Sequence, residues 1–183
     1  KYGELGDSLY CYPNSNILKN KLDIQDGKIL QQAELELTVH ASTLIEYEEP
    51  PYNLKYLQAI HSKLFLDLYD WAGELRQVDI AKGDTRFCTF SRIEKEADKL
   101  FNQLQQKNYF QDLSLDTLIQ TIADFYCELN VIHPFREGNG RAQRVLFEHM
   151  IINCGYDIDW SIIEADEWLN ANIRGYYCDY LLM

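Results

Sequence analysis

Residues His133-Pro134-Phe135-Arg136-Glu137-Gly138-Asn139-Gly140-Arg141-Ala142-Gln143-Arg144 bring a titratable base, a carboxylate, two glycines and paired arginines together between two apolar stretches. Gly138 and Gly140 let the backbone turn tightly where a helix begins, so unpaired N–H groups and the positive end of the helix dipole converge on one spot. Such a spot binds anions. Arg141 and Arg144, three residues apart, share one face of that helix and can grip further phosphate oxygens. The set suits a di- or triphosphate better than a single carboxylate. Glu137, a hard oxygen ligand beside the phosphates, is suited to Mg²⁺, which keeps most of its waters and takes one or two carboxylates plus phosphate oxygens. His133 precedes a proline, so it is expected to leave helical geometry and to project toward the same pocket. With an ordinary pKa near 6.5 it is neutral at cytosolic pH and able to accept a hydroxyl proton. Phe135 is expected to be buried and to pin the loop. Singly, a histidine is more often structural, a Gly-Asn-Gly a plain turn and paired arginines a solvated face. Gathered at one helix start, they resist assignment to packing alone.

The elements that hold this segment are mostly helical. Ile29, Leu30, Ala33, Leu37, Ala41, Leu44 and Ile45 follow helical spacing after an N-cap at Asp26, and Glu48-Glu49-Pro50-Pro51 ends the run. A second helix after Asn53 carries Leu54, Leu57, Ile60, Leu64 and Leu68 to about Asp70. From Trp71 to Phe90 the pattern breaks into short apolar pieces punctuated by Gly73 and Gly83-Asp84, which predicts a small β-flap over about 73–90. Ser91-Arg92-Ile93-Glu94 reads as a capping box for a third helix with Ala97, Leu100, Phe101 and Leu104 inward. Ser114 is placed to cap a fourth, with Leu115, Leu118, Ile119, Ile122, Tyr126 and Leu129 inward, to about Asn130. A loop from Val131 to Glu137 leads to a helix from Asn139 to Gly155, a natural C′ residue, and a last helix spans about Ala165 to Leu182. The fold class expected is an all-α bundle with one hairpin, a single domain over 1–183.

Composition bounds the partners. Seventeen basic and twenty-nine acidic side chains leave a net charge of −12 over 183 residues, which repels nucleic acid and anionic membrane surfaces. Cys11, Cys88, Cys127, Cys154 and Cys178 are widely spaced with no CxxC pair, which predicts buried thiols in a reducing compartment and a cytoplasmic location. No apolar run approaches the roughly 20 residues that span a bilayer. The chain begins at Lys1 and ends at Met183 within a helix-like stretch, so both natural ends are expected to lie outside it.

The segment His133 to Arg144 matches the signature His-x-Phe-x-Asp/Glu-Gly-Asn-Gly-Arg-x-x-Arg at every defined position, and the chain resembles the Fic family. Trp71-Ala72-Gly73, Arg76 and Gly83-Asp84-Thr85-Arg86-Phe87 are similar to the family's flap, and Tyr10-Cys11-Tyr12-Pro13 with Leu18-Lys19-Asn20-Lys21-Leu22 to its small bacterial stand-alone members. The resemblance implies an α-helical Fic fold in which His133 deprotonates a Ser, Thr or Tyr hydroxyl of a target protein. It implies that Glu137 holds Mg²⁺ on ATP, that Gly138, Asn139 and Gly140 form the anion hole, and that Arg141 and Arg144 take the β- and γ-phosphates. AMP would pass to the target and pyrophosphate would leave. Lys82, Gly83, Asp84 and Thr85 of the flap would bind the target's backbone as an added strand. Asn172, with Asn170 and Trp168, is the candidate for the adenine. Transfer of another group or nucleotide, or nucleotide binding without catalysis, are the alternatives. The family's inhibitory helix, Ser/Thr-x-x-x-Glu-Gly/Asn, aims a glutamate at the second arginine, here Arg144. Ser42 to Glu46 is the nearest string and Tyr47 breaks it, which suggests a toxin held by a separate small antitoxin. The resemblance to bacterial toxins suggests DNA gyrase or topoisomerase IV as targets.

Overall fold

Asp26 accepts hydrogen bonds from the amides of Lys28 and Ile29 and starts helix α1, Gly27–Ser42, at the position its sequence predicts. The computed structural model describes residues 7–83 and 85–177. Asn53 caps α2, Leu54–Phe65, through the Tyr56 amide. This helix ends a turn earlier than its apolar spacing predicts, because Leu68 and Tyr69 both bond back to the Phe65 carbonyl in a closing turn. Leu68 nevertheless stays buried.

The flap is far shorter as a sheet than the sequence suggests. Strands β1, Ala81–Lys82, and β2, Thr85–Arg86, form an antiparallel pair with Ala81 opposite Arg86. Its other apolar residues do not enter the ladder: Ile80 and Phe87 are buried as loop residues, whereas Phe90 is exposed. A short 3₁₀ turn, Phe90–Arg92, precedes α3, Ile93–Gln106, and no side chain caps that helix, so the capping box expected at Ser91 does not form. Arg92 instead pairs with Glu96 one turn on. Ser114 stands at the N-cap of α4, Leu115–Ile132, but its hydroxyl meets Thr117 Oγ1 rather than a backbone amide. This helix runs through Val131 and Ile132, which the sequence assigns to a loop. Helix α5, Asn139–Asn153, ends before Gly155, whose φ of +83° suits the C′ position. Helix α6 is Ala165–Tyr176; the rest of the helix expected to Leu182 lies outside the described residues.

Helix α2 packs against α1, α3 and α5, and α4 packs against α3, α5 and α6. The core between them holds Leu57, Phe65, Ile93, Leu104, Leu129, Phe135, Leu146 and Met150, all nearly inaccessible. Ile29 of α1 and Leu44, just past its end, point to solvent despite their helical spacing. Leu115 and Ile119 are open on one side, lining an apolar cavity of about 460 Å³ with Trp160 and Trp168. Among the described cysteines, all free, Cys11 and Cys127 are buried, whereas Cys88 and Cys154 are only partly covered. No helix among the described residues is long and apolar enough to cross a membrane.

Candidate active site

The motif loop joins the end of α4 to the start of α5 and is locked from within. Asn139 is 4 % exposed, and its side chain accepts from the Phe135 amide and donates to the Phe135 carbonyl, each at 2.8 Å. That side chain is therefore a staple; Asn139 faces an anion only with its backbone. Gly138 caps α5 with φ +79°, and a Cβ there would lie 2.2 Å from Phe65 Cζ. The carbonyl of Gly138 already takes the amides of Arg141 and Ala142, so the helix begins on this residue. The first-turn amides before them have no intrahelical acceptor, the usual ground for an anion site.

His133 closes α4 in the left-handed region, φ 49° and ψ 64°, and so leaves the right-handed helix, as its place before Pro134 predicts. Three contacts hold it there. Its amide donates to Leu129 O, its carbonyl accepts from Arg76 Nε at 2.8 Å, and its Nδ1 lies 3.0 Å from Asn130 O. A carbonyl can only accept, so Nδ1 carries the proton and Nε2 the lone pair. The ring stacks on Phe87 of the flap, centroids 3.8 Å apart. Burial, helped by the nearby charges of Arg76 and Lys82, pushes its pKa down to about 3 against the Asn130 hydrogen bond that raises it. His133 is neutral at any physiological pH.

Arg141 is engaged on three sides. It forms an ion pair with Glu34 of α1, donates to Thr38 Oγ1 at 3.2 Å, and lies over the Phe65 ring at 4.8 Å. Two of its five N–H donors are thus directed at α1, leaving others for a ligand. Glu137 Oε1 accepts from the Gly138 amide at 3.0 Å and stands 4.0 Å from Arg141 Nη2. Arg144, on the same helix, makes no ion pair among the described residues. Glu137, Glu34, Tyr69 and Lys82 line one cavity of about 250 Å³, so motif, first helix and flap meet there. No group of three or more His, Cys, Asp or Glu among the described residues could hold a metal. A single carboxylate next to an anion site still fits Mg²⁺, which takes the rest of its shell from phosphate oxygens and water.

Arg76 fastens the flap. Almost wholly buried, it donates to the carbonyls of Val78, Cys88, Ile132 and His133, and its own amide donates to Pro134 O. The Cys88 amide adds a bond to Val131 O. Gly83 sits at the flap's turn with φ +57°, Thr85 and Lys82 are partners across the hairpin, and Asp84 lies outside the described residues. Asn172, on α6, donates to Trp168 O on its own helix, and Trp168 packs on Tyr126 and Trp160.

Two supporting residues escape the sequence reading. Glu34 is one. The other is His61 of α2, fully buried and stacked on Phe65 and Phe135, with its two ring nitrogens on Gly73 and Glu137. Burial lowers its pKa to about 4. The only signal was the spacing of His61, four residues after Leu57 and three before Leu64, which sets a histidine on the apolar face of α2.

The model of the Fic/DOC family matches residues 51–151. The chain is 42 % identical over 175 residues to the probable protein adenylyltransferase Fic of Salmonella typhimurium, covering 96 % of this chain and 87 % of that protein. It is 35 % identical to the protein adenylyltransferase VbhT of Bartonella schoenbuchensis, covering 95 % of this chain and 37 % of the larger relative. Among solved structures, the Bartonella tribocorum BepC protein with bound AMPPNP is similar at a TM-score of 0.87 and 30 % identity, covering 96 % of this chain and 92 % of that one. An ADP-bound Fic domain from Bartonella quintana gives the same TM-score and identity, with 96 % and 90 % covered. With its signature loop, its helical bundle and a family match over more than half its length, the chain belongs to the Fic/DOC family.

Proposed function

We propose that this chain is a protein adenylyltransferase that moves AMP from ATP to a hydroxyl of another protein. The observation that carries the reading is the pairing of a buried neutral His133, whose lone pair is on Nε2, with an anion-binding helix start ringed by Glu137 and Arg141. His133 Nε2 takes the hydroxyl proton of the target's Ser, Thr or Tyr. The hydroxyl oxygen forms a bond to the α-phosphorus, the bond from that phosphorus to the bridging oxygen breaks, and pyrophosphate leaves. The amides of Gly138, Asn139 and Gly140, with Arg141 and Arg144, hold the phosphates. Glu137 would hold Mg²⁺, which would supply charge compensation for the leaving pyrophosphate. Asn172 is the proposed adenine contact, and Lys82, Gly83, Asp84 and Thr85 the strand that registers the target. Relatives named as protein adenylyltransferases, and others with AMPPNP or ADP bound, support the assignment of donor and reaction.

Control by a separate antitoxin is the regulatory part of the proposal. Helix α1 stops at Ser42, so Glu46 is not on it and the string Ser42 to Glu46 cannot act as an inhibitory helix. Arg144 has no carboxylate partner among the described residues and is available to a glutamate from a partner. The cytoplasmic targets to try first are subunits of DNA gyrase and topoisomerase IV. In the test, the protein is incubated with Mg²⁺ and a bacterial lysate, using ATP labelled at the α-phosphate in one tube and at the γ-phosphate in another, with His133→Ala beside each. Label entering a protein band only from α-labelled ATP, and only with His133 intact, is the expected result. Label from the γ position alone overturns AMP transfer in favour of phosphoryl transfer.

A further inference from the structure

Gly138, with φ +79°, has no side chain to resist rotation of the peptide that precedes it. The orientation of that peptide decides whether an N–H or a carbonyl oxygen faces the anion site, so something outside the glycine has to fix it. His61 is placed to do so. The Gly73 amide donates to His61 Nδ1 at 2.9 Å, and an amide can only donate. Nδ1 therefore holds the lone pair, and the proton of the neutral ring is on Nε2. Nε2 lies 3.0 Å from the Glu137 carbonyl oxygen and donates to it. In a trans peptide the C=O and the following N–H point in opposite directions. With the Glu137 carbonyl held toward His61, the Gly138 N–H is turned to the far side, where Glu137 Oε1 meets it at 3.0 Å and Arg141 Nη2 stands 4.0 Å from that same oxygen.

The ring itself cannot swivel freely. It stacks on Phe135 of the motif, centroids 3.9 Å apart and 20° between planes, and on Phe65, 4.6 Å and 27°. Gly73 is fixed in turn: its carbonyl accepts from Gln58 Nε2 at 2.9 Å, and a Cβ on it would meet Ser62 Cβ at 2.9 Å. Helix α2 thus holds Gly73, where the segment leading to the flap begins, and through His61 sets the motif's peptide plane.

We infer that His61 is a positioning residue which aims the Gly138 N–H at the nucleotide's phosphates by holding the Glu137 carbonyl from behind. The inference rests on the nucleotide-transfer reading above for the identity of the anion. Loss of the Nε2–H donor lets the peptide turn and present a carbonyl oxygen to the phosphates, which weakens ATP but not adenosine.

Three variants separate this role from general support of the core. His61→Phe keeps an aromatic ring and removes both nitrogens; His61→Gln can restore a donor at the Nε2 position; His61→Asn can restore only the acceptor toward Gly73. Binding of ATP and of adenosine is measured with Mg²⁺, beside thermal melts and the Gly138 amide signal in ¹⁵N NMR without nucleotide. Expected is a loss of about tenfold in ATP affinity for the Phe and Asn variants, adenosine unchanged, with Gln within about threefold of the parent. The Gly138 signal should move in the Phe and Asn variants and return in Gln. Folded Phe or Asn variants with parental ATP affinity and an unmoved Gly138 signal overturn the inference, as does recovery that follows melting temperature instead of the Nε2 donor. A parent protein that binds no nucleotide sinks the proposed function, while the Gly138 signal still decides the role of His61.

Discussion

A methyl group on Gly138 would sit 2.2 Å from Phe65 Cζ, in a backbone conformation that L side chains rarely adopt. The two penalties are separable. Gly138→Ala is expected to cost at least about 2 kcal/mol in denaturant unfolding, and Gly138→Ala with Phe65→Leu to recover only the contact part, leaving about 1 kcal/mol of backbone strain. For His133, whose pKa is held near 3, the transfer rate should show no break between pH 5.5 and 8 from this group, since the neutral base is fully populated throughout. A break near 6.5 in the pH–rate profile that is absent from the residual rate of His133→Ala would contradict that placement. His133→Ala should lower transfer by about 10²–10⁴-fold. At this scale the sequence was most readable where chemistry is compressed into neighbours: His133, Glu137, the glycines and the arginines lie within one short string. His61 and Glu34 were not readable, because their partners lie 76 and 107 residues away, and Arg76 was readable as part of the flap but not as its anchor, 57 residues from His133. Asn139 was readable as part of the string but not as its staple, since nothing local says where its side chain turns.

Helices were legible wherever apolar spacing met a cap, as at Asp26 and Asn53, and their ends were less so. Val131 and Ile132 stay helical because nothing before Pro134 stops the ladder until His133 turns left-handed. The small hairpin was legible but its extent was not: Ile80 and Phe87 are buried without joining the strands, and Phe87 stacks on His133. The hairpin's position depends on Arg76. Arg76→Met leaves several buried carbonyls without a donor, and should lower stability by about 3 kcal/mol and open residues 77–90 to limited proteolysis. Parental resistance to the protease in a folded Arg76→Met protein would show that the flap is held by packing. The first helix reaches the site through Glu34. A double-mutant cycle between Glu34→Ala and Arg141→Ala should give a coupling of about 1–2 kcal/mol in unfolding, the pair being partly screened.

Across the whole molecule, the helical bundle could be expected from helix count, but the central place of α2 could not. Only the three-dimensional packing puts α2 against both the first helix and the motif helix. Global stability should carry the mark of buried neutral histidine. His133 folds with its pKa near 3 against an ordinary 6.5, so the unfolded chain binds a proton that the native one refuses as pH falls through that interval. Stability is therefore fully present above about pH 6.5 and is lost on acidification, by about 2 kcal/mol at pH 5 from this group alone. Melting temperatures taken from pH 7 to pH 5 should fall, and less steeply in His133→Phe. The guanidinium under the flap has a further implication, for descent and for engineering. Apart from a 3.9 Å ion pair with Asp79, Arg76 grips main-chain oxygens, at Val78, Cys88, Ile132 and His133, and those bonds do not depend on which side chains the four positions carry. The exposed positions of the hairpin can therefore be rewritten while the bonds that moor it to the motif loop stay in place, so its surface and its anchorage are free to change separately.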